Sequence, residues 1–176
     1  MHSPLDLLDA PARHRPDEVD RWASSQLSLG VAANALVEEL APLCDANDIV
    51  RFVNAEGMYR PLMRLAEAAS GRVASTLWAW ASTSALVRGE LADIPGQLAL
   101  RAVLEDPEHD VAWQAFGDAA RAYVDPQLFA DVRAWANDRT RPPVLSRRAV
   151  ECFEEVAGGW DESDRHALAE LKARLG

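Results

Sequence analysis

A chain of 176 residues, 49% hydrophobic and 26% charged, holds enough apolar material for one sizeable core and lacks the low-hydrophobicity signature of a disordered tract. Its 28 acidic against 18 basic residues leave a formal net charge of −10. That balance argues against a nucleic-acid partner, which needs a basic face, and makes a basic protein surface the natural complement.

The first sixteen residues contain Pro4, Pro11 and Pro16, which interrupt any helix there and predict an N-terminal arm over residues 1–16, followed by a single all-helical domain over 17–176. The arm has neither the basic nor the apolar region of a signal peptide, so a cytoplasmic location is expected. Lys172 is the only lysine, and this arginine bias, with abundant alanine, points to a bacterial source with a GC-rich genome. Cys44 and Cys152 are too few and too far apart for a disulfide framework or a Cys-x-x-Cys metal site, and both are read as reduced and buried.

From Asp17, the apolar positions Trp22, Leu29, Ala33, Leu36, Val37 and Leu40 recur at helical spacing and predict one long amphipathic helix ending near Pro42. A short helix over Asn47 to Asn54 follows, then a break at Gly57 and a helix carrying Leu62, Met63, Leu65, Ala66 and Ala69. Gly71 separates this from the uncharged run Val73 to Val87, which falls short of the roughly 20 apolar residues of a membrane span and reads as a central buried helix. Further helices are predicted at about 95–104, 108–124, 126–137, 146–156 and 161–175. Asp106, Asp125, Ser146 and Asp161 are candidate caps, and Gly158-Gly159 a terminator. Alternating β patterns and hairpin dipeptides are missing, so the fold class is all-α: about eight helices, as stacked antiparallel hairpins or as an irregular bundle.

Successive helix pairs begin near Tyr59, Ile94, Gln127 and Glu162, a spacing of roughly 34 residues. Asp106, Pro107, Val111, Ala115, Ala119 and Ala120 resemble the Asp-Pro, valine and paired small residues in the second helix of a HEAT repeat. Ala112, Phe116 and Ala119, echoed by Ala149, Phe153 and Val156, look like the corresponding helix of a tetratricopeptide repeat. The HEAT resemblance covers about one hairpin and implies helices stacked in pairs, an architecture suited to docking another protein.

The histidines form no obvious constellation. His109, within Glu105, Asp106, Glu108 and Asp110, reads as part of a solvated acidic cap at a helix N-terminus. Glu162, His166 and Glu170 share one face of the last helix at a spacing that fits exposed ion pairing. No metal site and no cofactor are expected, and the common catalytic motifs do not occur, which leans against an enzyme.

The least generic segment, Asn47 to Glu67, gathers Asn54, Glu56, Tyr59, Arg60 and Arg64 around a glycine-containing break. Two arginines on one helix face can fork onto a carboxylate or phosphate, or pair with a neighbouring acid. Trp78 and Trp80 project about 200° apart, so one belongs to the core and the other to a second interface; Trp22, Trp113, Trp135 and Trp160 read as packing anchors. The leading expectation is a protein-interaction or regulatory module whose helical groove is lined by Arg60, Arg64, Trp78 and Trp113. Its partner is another protein with a basic surface; no nucleic acid or membrane is involved. The alternative is a small-molecule binder, or a motif-free helical enzyme of bacterial metabolism, with Ser75 to Ser84 as a pocket wall.

Overall fold

The computed structural model describes residues 14–40, 58–87, 93–122, 126–138 and 142–175. Among them are nine α-helices, one 3-10 turn and no strand. The helices are α1 (Arg15–Ser28), α2 (Ala33–Leu40), α3 (Tyr59–Glu67), α4 (Gly71–Val87), α5 (Asp93–Glu105), α6 (Asp110–Ala122), α7 (Pro126–Asn137), α8 (Pro143–Glu154) and α9 (Glu162–Leu175), with the 3-10 turn at Ala157–Gly159. The helix expected over Asn47 to Asn54, together with Cys44, Asn54 and Glu56, lies outside the described residues.

The single long leading helix is in fact two. Gly30 adopts φ 82°, the Val31 N–H bonds back to Gln26 O at 3.1 Å, and the Gly30 N–H bonds to Leu27 O at 3.0 Å. Those two bonds form a Schellman cap, which ends α1 through a left-handed residue that glycine adopts without a Cβ penalty. The turn also rotates Leu29 out of the apolar stripe to 69% exposure, whereas Val19, Trp22, Ala23 and Leu36 stay in the core.

Helix α4 occupies the centre, as its uncharged composition requires, and packs on α3, α5 and α6. Small residues are buried along it and along α5. Ala74, Ser75, Ala81, Ser82 and Ala85, with Ala99 and Ala102 on α5, are all essentially inaccessible to solvent. Two hydroxyls cross this seam: Ser75 Oγ donates to Ala102 O at 2.8 Å and Ser82 Oγ to Pro95 O at 2.8 Å. Pairing 75 with 102 and 82 with 95 makes α4 and α5 antiparallel. Of the two neighbouring tryptophans, Trp78 is buried and Trp80 half-buried at the edge of the core, on different sides of α4.

Toward the C-terminus the helices stack in two rows. Gln97 Nε2 donates to Asp131 Oδ2 at 2.6 Å, and further along Leu104 and Asp138 line one groove, so α5 and α7 run parallel and meet at an offset of 34 residues, the spacing expected from the helix starts. Arg148 bonds Asp110 and Phe153 touches Phe116, which sets α6 and α8 parallel in the other row. Between the rows, Phe116, Phe129, Phe153 and Trp160 form an aromatic chain with centroids 5.0 to 5.6 Å apart, mostly edge to face. Each such contact contributes about 0.5–1.5 kcal/mol beyond area burial.

Two caps differ from expectation. Asp161 does cap α9, accepting from Asp164 N–H at 2.9 Å. Ser146, however, is buried inside α8, because Pro143 already supplies the first helical residue after the extended Pro142. Asp106 stabilises the turn before α6 by accepting from Glu108 N–H at 3.1 Å, while the carbonyl that opens α6 belongs to His109.

Candidate functional site

Among the described residues singled out in the sequence, Tyr59, Arg60, Arg64, Trp78 and Trp113 do not converge on one groove. Tyr59 is buried, and Arg60 folds over its ring at 5.6 Å with Nε 3.1 Å from the phenol oxygen. Arg64 reaches back to α1, 3.1 Å from the Asp20 carboxylate and 3.3 Å from Ser24 Oγ, and so ties α3 to α1. Trp78 and Trp113 lie beneath arginines: Arg101 sits 4.9 Å above the first ring and Arg148 5.0 Å above the second. Trp113 also donates its indole N–H to Pro107 O at 2.8 Å. These rings are enclosed because a side chain with so much apolar surface gains more from burial than from lining an open face. In the helix stretch Ser75 to Ser84 the polar side chains are engaged within the fold. Ser75, Ser82 and Ser84 are buried between helices, and Thr76 and Thr83 bond back to the carbonyls of Arg72 and Ala79.

The densest polar cluster is one that the sequence reading assigned to solvent. His109 is only 8% exposed, because α6 docks its N-terminus against α4 and carries the ring inward. Its Nδ1 lies 2.9 Å from Ser75 Oγ. The Ala102 carbonyl can only accept, so the Ser75 proton is committed to it, and the Ser75 oxygen accepts from His109 Nδ1–H. The neutral imidazole then holds its lone pair on Nε2. Burial, and next Arg72, hold this histidine below its ordinary value of 6.5, against the opposing pull of Asp106 and Asp110. Around it, Arg72 pairs with Asp106, and Arg148 with Asp110 at 2.7 Å. The Arg148 hydrogen bond and charge also keep the Asp110 carboxyl below the usual carboxylate range. A serine whose proton is held by a backbone carbonyl, deep in a helix seam, is no nucleophile, so this pair is a structural clasp between α4, α5 and α6.

Open clefts lie elsewhere. Between α5 and α7 a groove of about 280 Å³ is lined by Leu100, Leu104, Asp131, Ala134, Trp135 and Asp138. Its apolar floor arises from the parallel packing of the two helices, which leaves Leu104 38% exposed above Leu100 and Trp135. A broader, shallower face of about 580 Å³ lies along α9, with Leu168, Ala169, Ala173 and Ala157 between Arg165 and the Lys172–Glu154 ion pair. On the outside of α9, His166 pairs with Glu170 at 3.3 Å, as its spacing predicts. No group of three or more His, Cys, Asp or Glu side chains among the described residues is placed to hold a metal ion. No helix among them is long and apolar enough to cross a membrane. The α5/α7 groove is not legible in the sequence because its two walls are 34 residues apart, and the exposure of Leu104 is what distinguishes it.

Comparison of the chain with protein-family models, with curated proteins and with solved structures finds no match.

Proposed function

We propose that the chain is a protein-docking module that presents the groove between α5 and α7 to a partner protein. The observation that carries this reading is the exposure of Leu104 at the mouth of an apolar floor made by Leu100, Ala134 and Trp135. An anchor of this kind, set between parallel helices and rimmed by polar groups, is what a partner's apolar side chain uses. The other exposed large apolar residues, among them Val87 and Val144, do not line this groove and need no partner to explain them. The reading places the module in the bacterial cytoplasm, a compartment that suits the free, partly buried thiol of Cys152.

A photo-crosslinking side chain at Leu104 tests the reading. It should join a partner polypeptide in living cells, while the same group at Val144, 62% exposed outside the groove, should not. Equal labelling from both positions would remove the groove from the argument.

A further inference from the structure

We infer that His109 is a proton-operated latch on the α5/α7 groove. With the imidazole neutral, the last turn of α5 is held and Leu104 stays at the groove mouth; a proton taken up on Nε2 releases that turn. The latch presupposes the docking reading above and adds a means of regulating that site.

A short path of bonds links the ring to the groove. Ala102 O accepts both the Ser75 hydroxyl, at 2.8 Å, and the Asp106 N–H, at 3.3 Å. The second of these bonds closes the last turn of α5, and Leu104 lies within that turn. From Asp106 the chain passes through Pro107 and Glu108 to His109, whose backbone N–H bonds Asp106 O at 3.1 Å and whose ring is drawn inward by Ser75. Pro107 fixes one backbone angle in this link, and its carbonyl takes the Trp113 indole N–H. A displacement of the ring is thus passed to the turn that carries Leu104.

The surrounding charges suit a neutral ring. Arg72 reaches it from α4, Asp106 from the turn after α5 and Asp110 from α6, while α5 presents the uncharged Ala102 carbonyl to Ser75. Each carboxylate is already held by an arginine, Asp106 by Arg72 and Asp110 by Arg148 of α8, so the set is balanced only while His109 carries no charge. A proton adds a third cation, and burial withholds the water that would solvate it. The charged ring is relieved by withdrawing to solvent, or by drawing Asp106 away from Arg72 and the Glu108 N–H; either movement unties the turn.

The direction of the response follows. Released, the ring takes its proton at the ordinary 6.5; latched, it resists that proton to a lower pH. A fall in pH through that interval therefore shifts the latch toward its open state. A helix end opens at far lower cost than the whole fold, so the release is confined to the end of α5 and the turn that follows.

NMR of the full chain, titrated from about pH 8 to about pH 5, tests the proposal through the His109 ring, the Trp113 indole N–H and the Leu104 methyls. The expected result is one shared midpoint below 6.5, with the Leu104 methyls moving toward the shifts of an unfolded chain and the Trp160 indole, packed on Phe129 and Phe153, staying fixed. In His109→Gln, whose amide offers Ser75 a neutral donor, the Trp113 and Leu104 signals should stay flat. Arg72→Gln removes a neighbouring cation and should raise the midpoint in all three signals together. If His109 stays neutral throughout, if it titrates while Leu104 stays fixed, or if Leu104 titrates unchanged in His109→Gln, the inference is overturned. Movement of Trp160 at the same midpoint would mean that the whole fold opens, which overturns it too. The wild-type titration decides between a shared and a separate midpoint even where a variant misfolds. A shared midpoint with a blank crosslink from Leu104 removes the docking reading and leaves the latch standing; a crosslink with a fixed Leu104 does the reverse.

Discussion

Replacing Ser75 with alanine probes the clasp between α4, α5 and α6 most directly. The side chain is fully buried, and its hydroxyl serves two partners, donating to Ala102 O and accepting from His109 Nδ1–H. The two losses are unequal. Ala102 O still receives the Asp106 N–H at 3.3 Å, so the carbonyl keeps a partner, and losing the serine bond costs about 1 kcal/mol. The imidazole, 8% exposed, is left with a nitrogen that has lost its serine partner, which adds about 1–2 kcal/mol in either tautomer. Ser75→Ala should therefore cost about 2–3 kcal/mol, against about 1 kcal/mol for Ser82→Ala, whose hydroxyl reaches only Pro95 O. Urea unfolding followed by tryptophan fluorescence reads both values, and His109→Leu completes a double-mutant cycle with Ser75→Ala. Because removing both partners relieves the orphaned nitrogen, the cycle should return a coupling of about 1–2 kcal/mol. Equal costs for the two serines, together with additivity in the cycle, would refute the assigned hydrogen bond.

The same histidine gives stability a pH dependence. Unfolded, it takes its proton at the ordinary 6.5; folded, burial and Arg72 resist that proton. Stability contributed by neutral His109 is fully present above 6.5 and is lost as the pH falls below it toward the lower folded value. His109→Gln should flatten this part of the curve in denaturant titrations at stepped pH; an identical decline in the variant would assign the effect to other groups. Phe153 touches Phe116, Phe129 and Trp160, so Phe153→Ala should cost about 3–5 kcal/mol by the same unfolding assay, and a loss below about 1 kcal/mol would mean the aromatic chain is not the joint between rows. Gly30→Ala forces a Cβ into the left-handed region at φ 82° and should cost about 1 kcal/mol although no neighbour obstructs it. Unchanged thermal stability in that variant would show that α1 can end another way.

Helix existence was legible wherever local chemistry is decisive. The composition of α4 marked it as central, Pro126 and Asp161 marked the starts of α7 and α9, and the spacing of His166 and Glu170 foretold their pairing. The break at Gly30 was missed because the apolar stripe continues through Leu29, and periodicity cannot tell a stripe that stays on one helix from one resumed after a tight turn. His109 was misplaced for a related reason. Its acidic neighbours describe a solvated helix start, while its ring is drawn inward by a serine 34 residues earlier in the chain. The arginine and tryptophan candidates are ambiguous at the same level: side chains suited to a groove are equally suited to closing a core, and it is Asp20, Arg101 and Arg148 that engage Arg64, Trp78 and Trp113 within the fold.

The two serines between α4 and α5 also determine how freely the helices can slide. Hydroxyls at Ser75 and Ser82, seven residues apart, meet carbonyls at Ala102 and Pro95, also seven apart, so both bonds form together at a single register. A slip of one turn, about 5.4 Å, breaks both at once and strands two buried hydroxyls. The seam therefore works as a keyed joint: it fixes the axial position of α5, and through the Gln97–Asp131 bond it sets where α7 begins.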